Sequence, residues 1–252
     1  MTEPSPNNQL RMYRDLAWAF PIITPLDHYV EESEYFSRVI KENARIEVRT
    51  LLHLGCGGGH NDHFLQRHFK LTGIDLSEDM LALAKKLNPQ ATYLLGDMRS
   101  IQLGKTFDAV ACLDAIMYML TPDDLGSVFL TAWNHLRPGG VLLVVPDLFK
   151  ESFQQNKTVP FTNSVGDVEI TFVENYHDPD PSDDTYESTF IFLIRRGKKL
   201  EVEVDRHLCG VFTLDTWHRL LREVGFEVSQ TEFKALDGEI YPVFVGIRTL
   251  TA

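Results

Sequence analysis

The stretch "TLLHLGCGGGH" at residues 50–60 runs from an apolar strand signal into four glycines. A strand that ends in so much glycine is delivering the chain to a turn. There φ must be positive, or another group must approach bare backbone. A helical pattern follows over residues 61–69. Strand, glycine turn and helix in this order form the first unit of a doubly wound α/β sheet, where ligands bind at the carboxyl ends of the strands.

The chain beyond the turn keeps that rhythm. "KLTGIDL" reads as a second strand, and Ser77 caps a helix over "SEDMLALAKKL" whose first-turn acids, Glu78 and Asp79, suit the positive end of its dipole. Asn88-Pro89 stops it. "ATYLLGD" and "FDAVACLD" are the third and fourth strands, and Thr121-Pro122 opens a helix over "TPDDLGSVFLTAWNHL". "RPGG" then turns the chain into "VLLVVPD", an apolar run of the kind buried on both faces of a parallel sheet.

After Pro146 the period changes. "VGDVEITFVENYHD", "TYESTFIFLIRR" and "KLEVEVDRHLCG" alternate polar and apolar residues and predict an inserted antiparallel meander. Helix "LDTWHRLLREV", stopped by Gly225, strand "FEVSQTEF", a turn at Asp237-Gly238 and strand "IYPVFVGIRT" close the pattern. A helix is expected over residues 27–44, behind a frayed tail at residues 1–10.

The expected fold is Rossmann-like: a doubly wound, mostly parallel seven-stranded sheet with an antiparallel last strand, plus a small antiparallel β insertion after the fifth strand. The expected units are a helical lid segment at residues 1–45, a ligand-binding core at 46–149 and the β insertion at 150–212. Residues 213–252 would complete the core.

Charge narrows the partners. A net charge of −12 argues against nucleic acid, and the densest basic run, "RRGKK" at residues 195–199, reads as a hairpin turn. The three cysteines, Cys56, Cys112 and Cys209, have no disulfide or metal spacing, which suits a cytoplasmic setting. His60 and His63 share a helix face without a third ligand pattern, so no metal is expected. Neither a leader peptide nor a run of about 18 apolar residues is apparent, so no membrane partner is expected.

Two ligand classes use such a glycine turn. Dinucleotides take G-x-G-x-x-G, and S-adenosylmethionine takes G-x-G-x-G. Gly55, Gly57 and Gly59 give the second spacing, and His60 stands where the dinucleotide pattern places its third glycine. Asp75, 20 residues after Gly55, ends the second strand and suits ribose hydroxyls in either class. Asp97 and Met98, after the third strand, are placed for an adenine amino group and ring.

On "HLGCGGG", "GIDLSEDML", "LLGDMRS", "FDAVACLDAIMYM" and "LRPGG", the chain resembles class I S-adenosylmethionine-dependent methyltransferases over residues 45–250. Within the class it is similar to small-molecule enzymes such as the amino-sugar N-methyltransferases of antibiotic biosynthesis, which share "GDMR", the β insertion and an ending like "VFVGIR". The resemblance implies methyl transfer to N or O of a small acceptor by in-line displacement, with S-adenosylhomocysteine as product. It places Gly55, Cys56, Gly57 and Gly59 against the cofactor, with Leu76 and Met80 beside Asp75 at the ribose. Leu113 and Asp114 fall near the methionine portion, and Tyr13 and Tyr29 match tyrosines lining the site in the sugar enzymes.

Two departures stand out. The family carries an acid where this chain has His53, and a cation there is expected to repel the sulfonium and weaken binding at acid pH. The sugar enzymes carry a histidine near "DAIMYM", where this chain offers Tyr118 and Met119. His207 in "DRHLCG" is therefore the first candidate base or acceptor contact, with Tyr118 beside it and His177 as an alternative. A protein side-chain methyltransferase, a cofactor-binding regulator without turnover and a nicotinamide oxidoreductase remain open readings. The insertion is expected to cover the acceptor or to form a homodimer contact.

Overall fold

Leu51, Leu52 and Leu54 of strand β1 (Thr50–Leu54) are fully buried, because β1 lies inside a sheet covered on both faces. A computed structural model describes residues 10–235, 238 and 240–250. The other strands of this sheet are β2 (Lys70–Asp75), β3 (Thr92–Leu95), β4 (Phe107–Cys112), β5 (Leu136–Val144), β10 (Glu227–Lys234) and β11 (Ile240–Ile247), in the order β10-β11-β5-β4-β1-β2-β3. β1 to β5 pair in parallel, and β11 runs antiparallel to both β5 and β10. The chain thus winds outward from β1 through β2 and β3, then returns to β4 on the other side of β1. That reversal opens a crevice at the carboxyl ends of β1 and β4.

Alternate strand residues feed two helical layers. Leu52, Leu54, Val110 and Val144 pack against helix α5 (Pro122–His135) and helix α6 (Leu214–Val224). Leu51, Ala111 and Val141 face helix α2 (Val30–Asn43) and helix α4 (Glu78–Leu87). The expected caps form: Ser77 Oγ accepts from the Met80 N–H at 3.1 Å, and Thr121 Oγ1 from the Asp124 N–H at 3.1 Å.

The insertion has four strands, not the three expected: β6 (Thr158–Val165), β7 (Val168–His177), β8 (Thr185–Arg196) and β9 (Lys199–Gly210), paired antiparallel in that order. Pro160 hid β6, since proline removes a ladder donor. It is tolerated here because β6 is an edge. Gly197, with φ +57°, makes the β8–β9 turn within the basic run.

The helix expected over residues 27–44 is α2, preceded by a tighter helical turn at Leu26–Tyr29. Short helical turns at Arg11–Tyr13 and Ala17–Ala19, then helix α1 (Phe20–Ile23), precede it. From this segment Met12, Leu16, Ile22 and Ile23 pack on Ile170, Phe172, Phe190 and Phe192 of the insertion. Helix α3 (His60–Leu65) is shorter than expected, and "RPGG" lies within β5, where pairing with β4 shifts register between Phe107 and Ala109. Of the tail only Leu10 is described. Asp237 lies outside the described residues, and Gly238 takes φ +89°.

Candidate active site

The crevice continues into a cavity of about 1510 Å³. Its wall passes from the glycine turn, along Asp75 and Asp97, to the inner face of the insertion at Phe172, Glu174 and Phe190. Single-ligand pockets hold roughly 300–1,000 Å³, so this volume suits two reactants side by side.

The turn is built for close approach. Gly55, Gly57 and Gly59 have φ of +74°, +52° and +75°. A Cβ on Gly55 would lie 2.4 Å from Ala115 Cβ, and one on Gly59 2.7 Å from Asn88 Nδ2. A Cβ on Gly57 would have Met80 Cε, at 3.6 Å, as its neighbour and otherwise open space. Gly57 is thus where bare backbone meets the cavity, with the Cys56 thiol held protonated by burial beside it.

Asp75 ties the turn to α4. Its Oδ2 accepts the Gly57 N–H at 2.8 Å and its Oδ1 accepts the Ser77 N–H at 2.8 Å. Burial, only partly offset by these bonds, raises its pKa. Leu76 is exposed and Met80 buried, and both line the cavity.

Asp97 also lines it, but with a partner that sequence reasoning missed. Arg99 grips the carboxylate, with Nη2 at 2.7 Å from Oδ2 and its backbone N at 2.8 Å from Oδ1, and lowers its pKa. Arg99 also donates to Asp124 at 2.8 Å. An adenine amino group placed here would meet a carboxylate already oriented by a cation. Asp97→Ala is expected to weaken S-adenosylhomocysteine binding by about 1–3 kcal/mol in titration calorimetry. The melting temperature of the ligand-free protein should change little, because the Asp97–Arg99 pair is partly exposed. Met98, Leu113 and Asp114 complete this wall.

At the other end the structure joins groups distant in sequence. Tyr13 Oη lies 2.8 Å from Tyr118 Oη, and Tyr118 Oη lies 2.6 Å from His207 Nδ1. His207 Nε2 is 2.7 Å from Asp205 Oδ2, which also accepts the Met12 N–H at 2.7 Å. Since Asp205 takes the Nε2 proton, Nδ1 is the acceptor for the Tyr118 hydroxyl. Tyr13 and Tyr118 line the cavity, whereas His207 stands one hydrogen bond behind Tyr118 and is 1% exposed. Burial raises the Tyr118 pKa well above 10, so the phenol is neutral. His177 is exposed at the end of β7, away from the lining.

Tyr29 lines the cavity with its ring 5.2 Å from that of His60, which also packs 4.9 Å from Phe20. Burial pushes His60 down to about 4, so it serves as a neutral aromatic wall. No cluster of metal-ligating side chains occurs among the described residues.

His53 and four further acids complete the polar wall. His53 Nδ1 lies 2.6 Å from Asp62 Oδ1, and both residues are buried. Glu32 of α2 is pushed up to about 8, chiefly by burial, and burial likewise raises Asp114, Asp147 and Glu174. Glu32, Asp147 and Glu174 had no local signal, because each reaches the cavity from a different element.

Residues 51–140 match the methyltransferase domain family. The dTDP-3-amino-3,4,6-trideoxy-alpha-D-glucopyranose N,N-dimethyltransferase of Streptomyces venezuelae is 41% identical over 109 residues, 42% of this chain and 46% of that protein. The match thus spans less than half of that relative's length. The dTDP-3-amino-3,6-dideoxy-alpha-D-glucopyranose N,N-dimethyltransferase of Streptomyces fradiae is 26% identical over 204 residues, covering 80% of this chain and 78% of the relative. Among solved structures, S-adenosylmethionine-bound CalS10, an amino pentose methyltransferase of Micromonospora echinaspora, superposes with a TM-score of 0.77 at 26% identity, over 88% of this chain and 92% of that one. No helix among the described residues is long and apolar enough to cross a membrane. The glycine turn open at Gly57 thus lies in a segment that matches the methyltransferase domain family, on a fold shared with an S-adenosylmethionine-bound amino pentose methyltransferase.

Proposed function

We propose that the chain methylates the amino nitrogen of a small, sugar-like acceptor held between its N-terminal segment and the insertion sheet. The observation that carries this reading is the hydrogen-bonded chain Tyr13–Tyr118–His207–Asp205 at the acceptor end of a cavity roomy enough for two reactants. When bound, S-adenosylmethionine supplies an electrophilic methyl group, and the turn and Asp75 hold its nucleoside. An amine acceptor is protonated in water and attacks only after losing that proton. Tyr118 Oη takes the proton while its own passes to His207 Nδ1, and Asp205 steadies the imidazolium. Glu174, which accepts from Ser188 Oγ at 3.1 Å, and Asp147 offer carboxylates to the ammonium or hydroxyls of a sugar. The rest of the work is alignment of the two reactants.

The names of the relatives support a nucleotide-linked amino sugar as acceptor class. The test is methyl release with a panel of dTDP-amino sugars, simple amines, sugar alcohols and peptides. Turnover confined to amino sugars is expected, and turnover of peptides alone would overturn the reading. A homodimer through the insertion is supported by its outer face, where Val202 and Val204 of β9 are 56% and 46% exposed. Light scattering should then report a dimer that Val202→Lys with Val204→Lys splits.

A further inference from the structure

We infer that His53 and Asp62 form a buried ion pair whose outward N–H binds the carboxylate at the amino-acid end of the cofactor. The inference rests on the cofactor reading above and concerns a position where this chain departs from its family. His53 is 3% exposed, and its Nε2 is buried without a partner in the cavity wall. Asp62 is held on its far side: Oδ2 accepts the Tyr93 hydroxyl at 2.9 Å, and Asn88 Nδ2 donates to Tyr93 Oη at 3.0 Å and to the Gly59 carbonyl at 2.8 Å. The imidazole is therefore clamped through Nδ1, leaving Nε2 to meet whatever enters.

A glycine turn ordinarily offers its own N–H groups to an anion. Here Gly55 and Cys56 donate to the Ile74 carbonyl at 2.8 and 2.9 Å, Gly57 donates to Asp75, and Gly59 donates to the Cys56 carbonyl at 3.0 Å. These four donors are committed, which leaves Gly58 as the residue of the turn whose N–H is not so engaged. The titratable groups around His53 are Asp62 and the neutral His60 on α3, Asp75 at the end of β2, Asp114 after β4, Glu32 on α2 and the Cys56 thiol in the turn. A zwitterionic amino acid thus finds acceptors for its ammonium in Asp114 and Glu32, and an uncommitted donor for its carboxylate in His53 Nε2. Burial lowers the His53 pKa, but the charge and hydrogen bond of Asp62, with Asp114 and Asp75, outweigh it and raise the pKa overall. The pair is neutral in sum, which removes the repulsion of the sulfonium expected from sequence.

The sign of the pH effect reverses accordingly. The donor is present below the raised pKa and is lost as pH rises through it. Binding of S-adenosylhomocysteine, followed by calorimetry from about pH 5.5 to about pH 8.5, should weaken by about tenfold or more as the proton leaves, the scale of a hydrogen bond between charged groups. The decarboxylated analogue, with the same nucleoside and amine, should lack this dependence. His53→Gln, which keeps a neutral donor, should bind S-adenosylhomocysteine with the pH slope of the decarboxylated analogue. Identical pH slopes for the two ligands on the wild-type protein would overturn the inference, as would tighter binding of both with rising pH. These two comparisons stand even if His53→Gln does not fold. Failure of the wild-type protein to bind S-adenosylhomocysteine at any pH would instead overturn the cofactor reading.

Discussion

Tyr118→Phe is expected to lower kcat with an amino-sugar acceptor by about 10²–10⁴, the usual scale of general acid–base catalysis, while leaving S-adenosylhomocysteine affinity within about twofold. The substitution removes one oxygen, the one that bridges Tyr13 Oη and His207 Nδ1 at 2.8 and 2.6 Å. The ring contacts with Tyr13 and His207, at centroid distances of 5.6 and 5.8 Å, remain available to phenylalanine, so the wall keeps its shape. What disappears is the route from the bound ammonium to His207.

The pH–rate profile separates this role from a steric one. The variant should regain rate at alkaline pH, where the amine has already lost its proton in solution, whereas a packing defect would lower the rate equally at all pH. Asp205→Asn should act in the same direction through tautomer control. Asparagine offers the His207 Nε2 proton a weaker acceptor, so Nδ1 becomes a poorer base. His207 and Asp205 are positioning residues in this scheme, and Tyr118 is the group that meets the acceptor. An unchanged kcat in a folded Tyr118→Phe protein would return the reaction to simple alignment of the two reactants.

The parts legible in the sequence were those governed by neighbours along the chain. Positive φ at Gly55, Gly57 and Gly59, the caps at Ser77 and Thr121 and the Gly225 stop with φ +116° are local stereochemistry. The alternation of strand and helix then selects the sheet order through handed crossovers. Pro160 shows where local rules mislead, since its cost depends on whether the strand is an edge, and an edge exists only once β7 has paired. The site was legible where one element supplies both the residue and its direction, as at Asp75. Partners were less legible than residues: Asp97 was singled out from sequence and lines the cavity, but the grip of Arg99 on its carboxylate was not foreseen. His207 and Tyr118 were likewise named from sequence, but the hydrogen bond that joins them across 89 residues of chain had no local signal. His53 is an intermediate case. Its departure from the family acid was visible, but the compensating carboxylate of Asp62 depends on α3 folding back over β1.

Removal of the Asp75 carboxylate should have the largest effect on the cofactor itself. Asp75→Ala is expected to weaken S-adenosylhomocysteine binding by about 100-fold or more, because two ribose hydroxyls each lose a charged acceptor worth about 1.5–3 kcal/mol. The side chain also carries structure. Without it the N–H groups of Gly57 and Ser77 lose their acceptors, and Ser77 anchors the N-terminal segment by donating to the Tyr13 carbonyl. Each orphaned N–H costs about 1–3 kcal/mol if it stays buried, so a lower melting temperature should accompany the weaker binding. Asp75→Asn separates the two contributions: its carbonyl oxygen still serves one N–H, while its amide cannot accept from the other. It should therefore recover part of the stability and little of the affinity.

Adenosine gives a further separation, since it carries the ribose but no amino-acid end. The Asp75 variants should lose adenosine as severely as S-adenosylhomocysteine, whereas His53→Gln should leave adenosine binding untouched. If Asp75→Ala instead binds adenosine normally and fails only with the full cofactor, the carboxylate acts on the amino-acid end, and the ribose lies elsewhere along the wall.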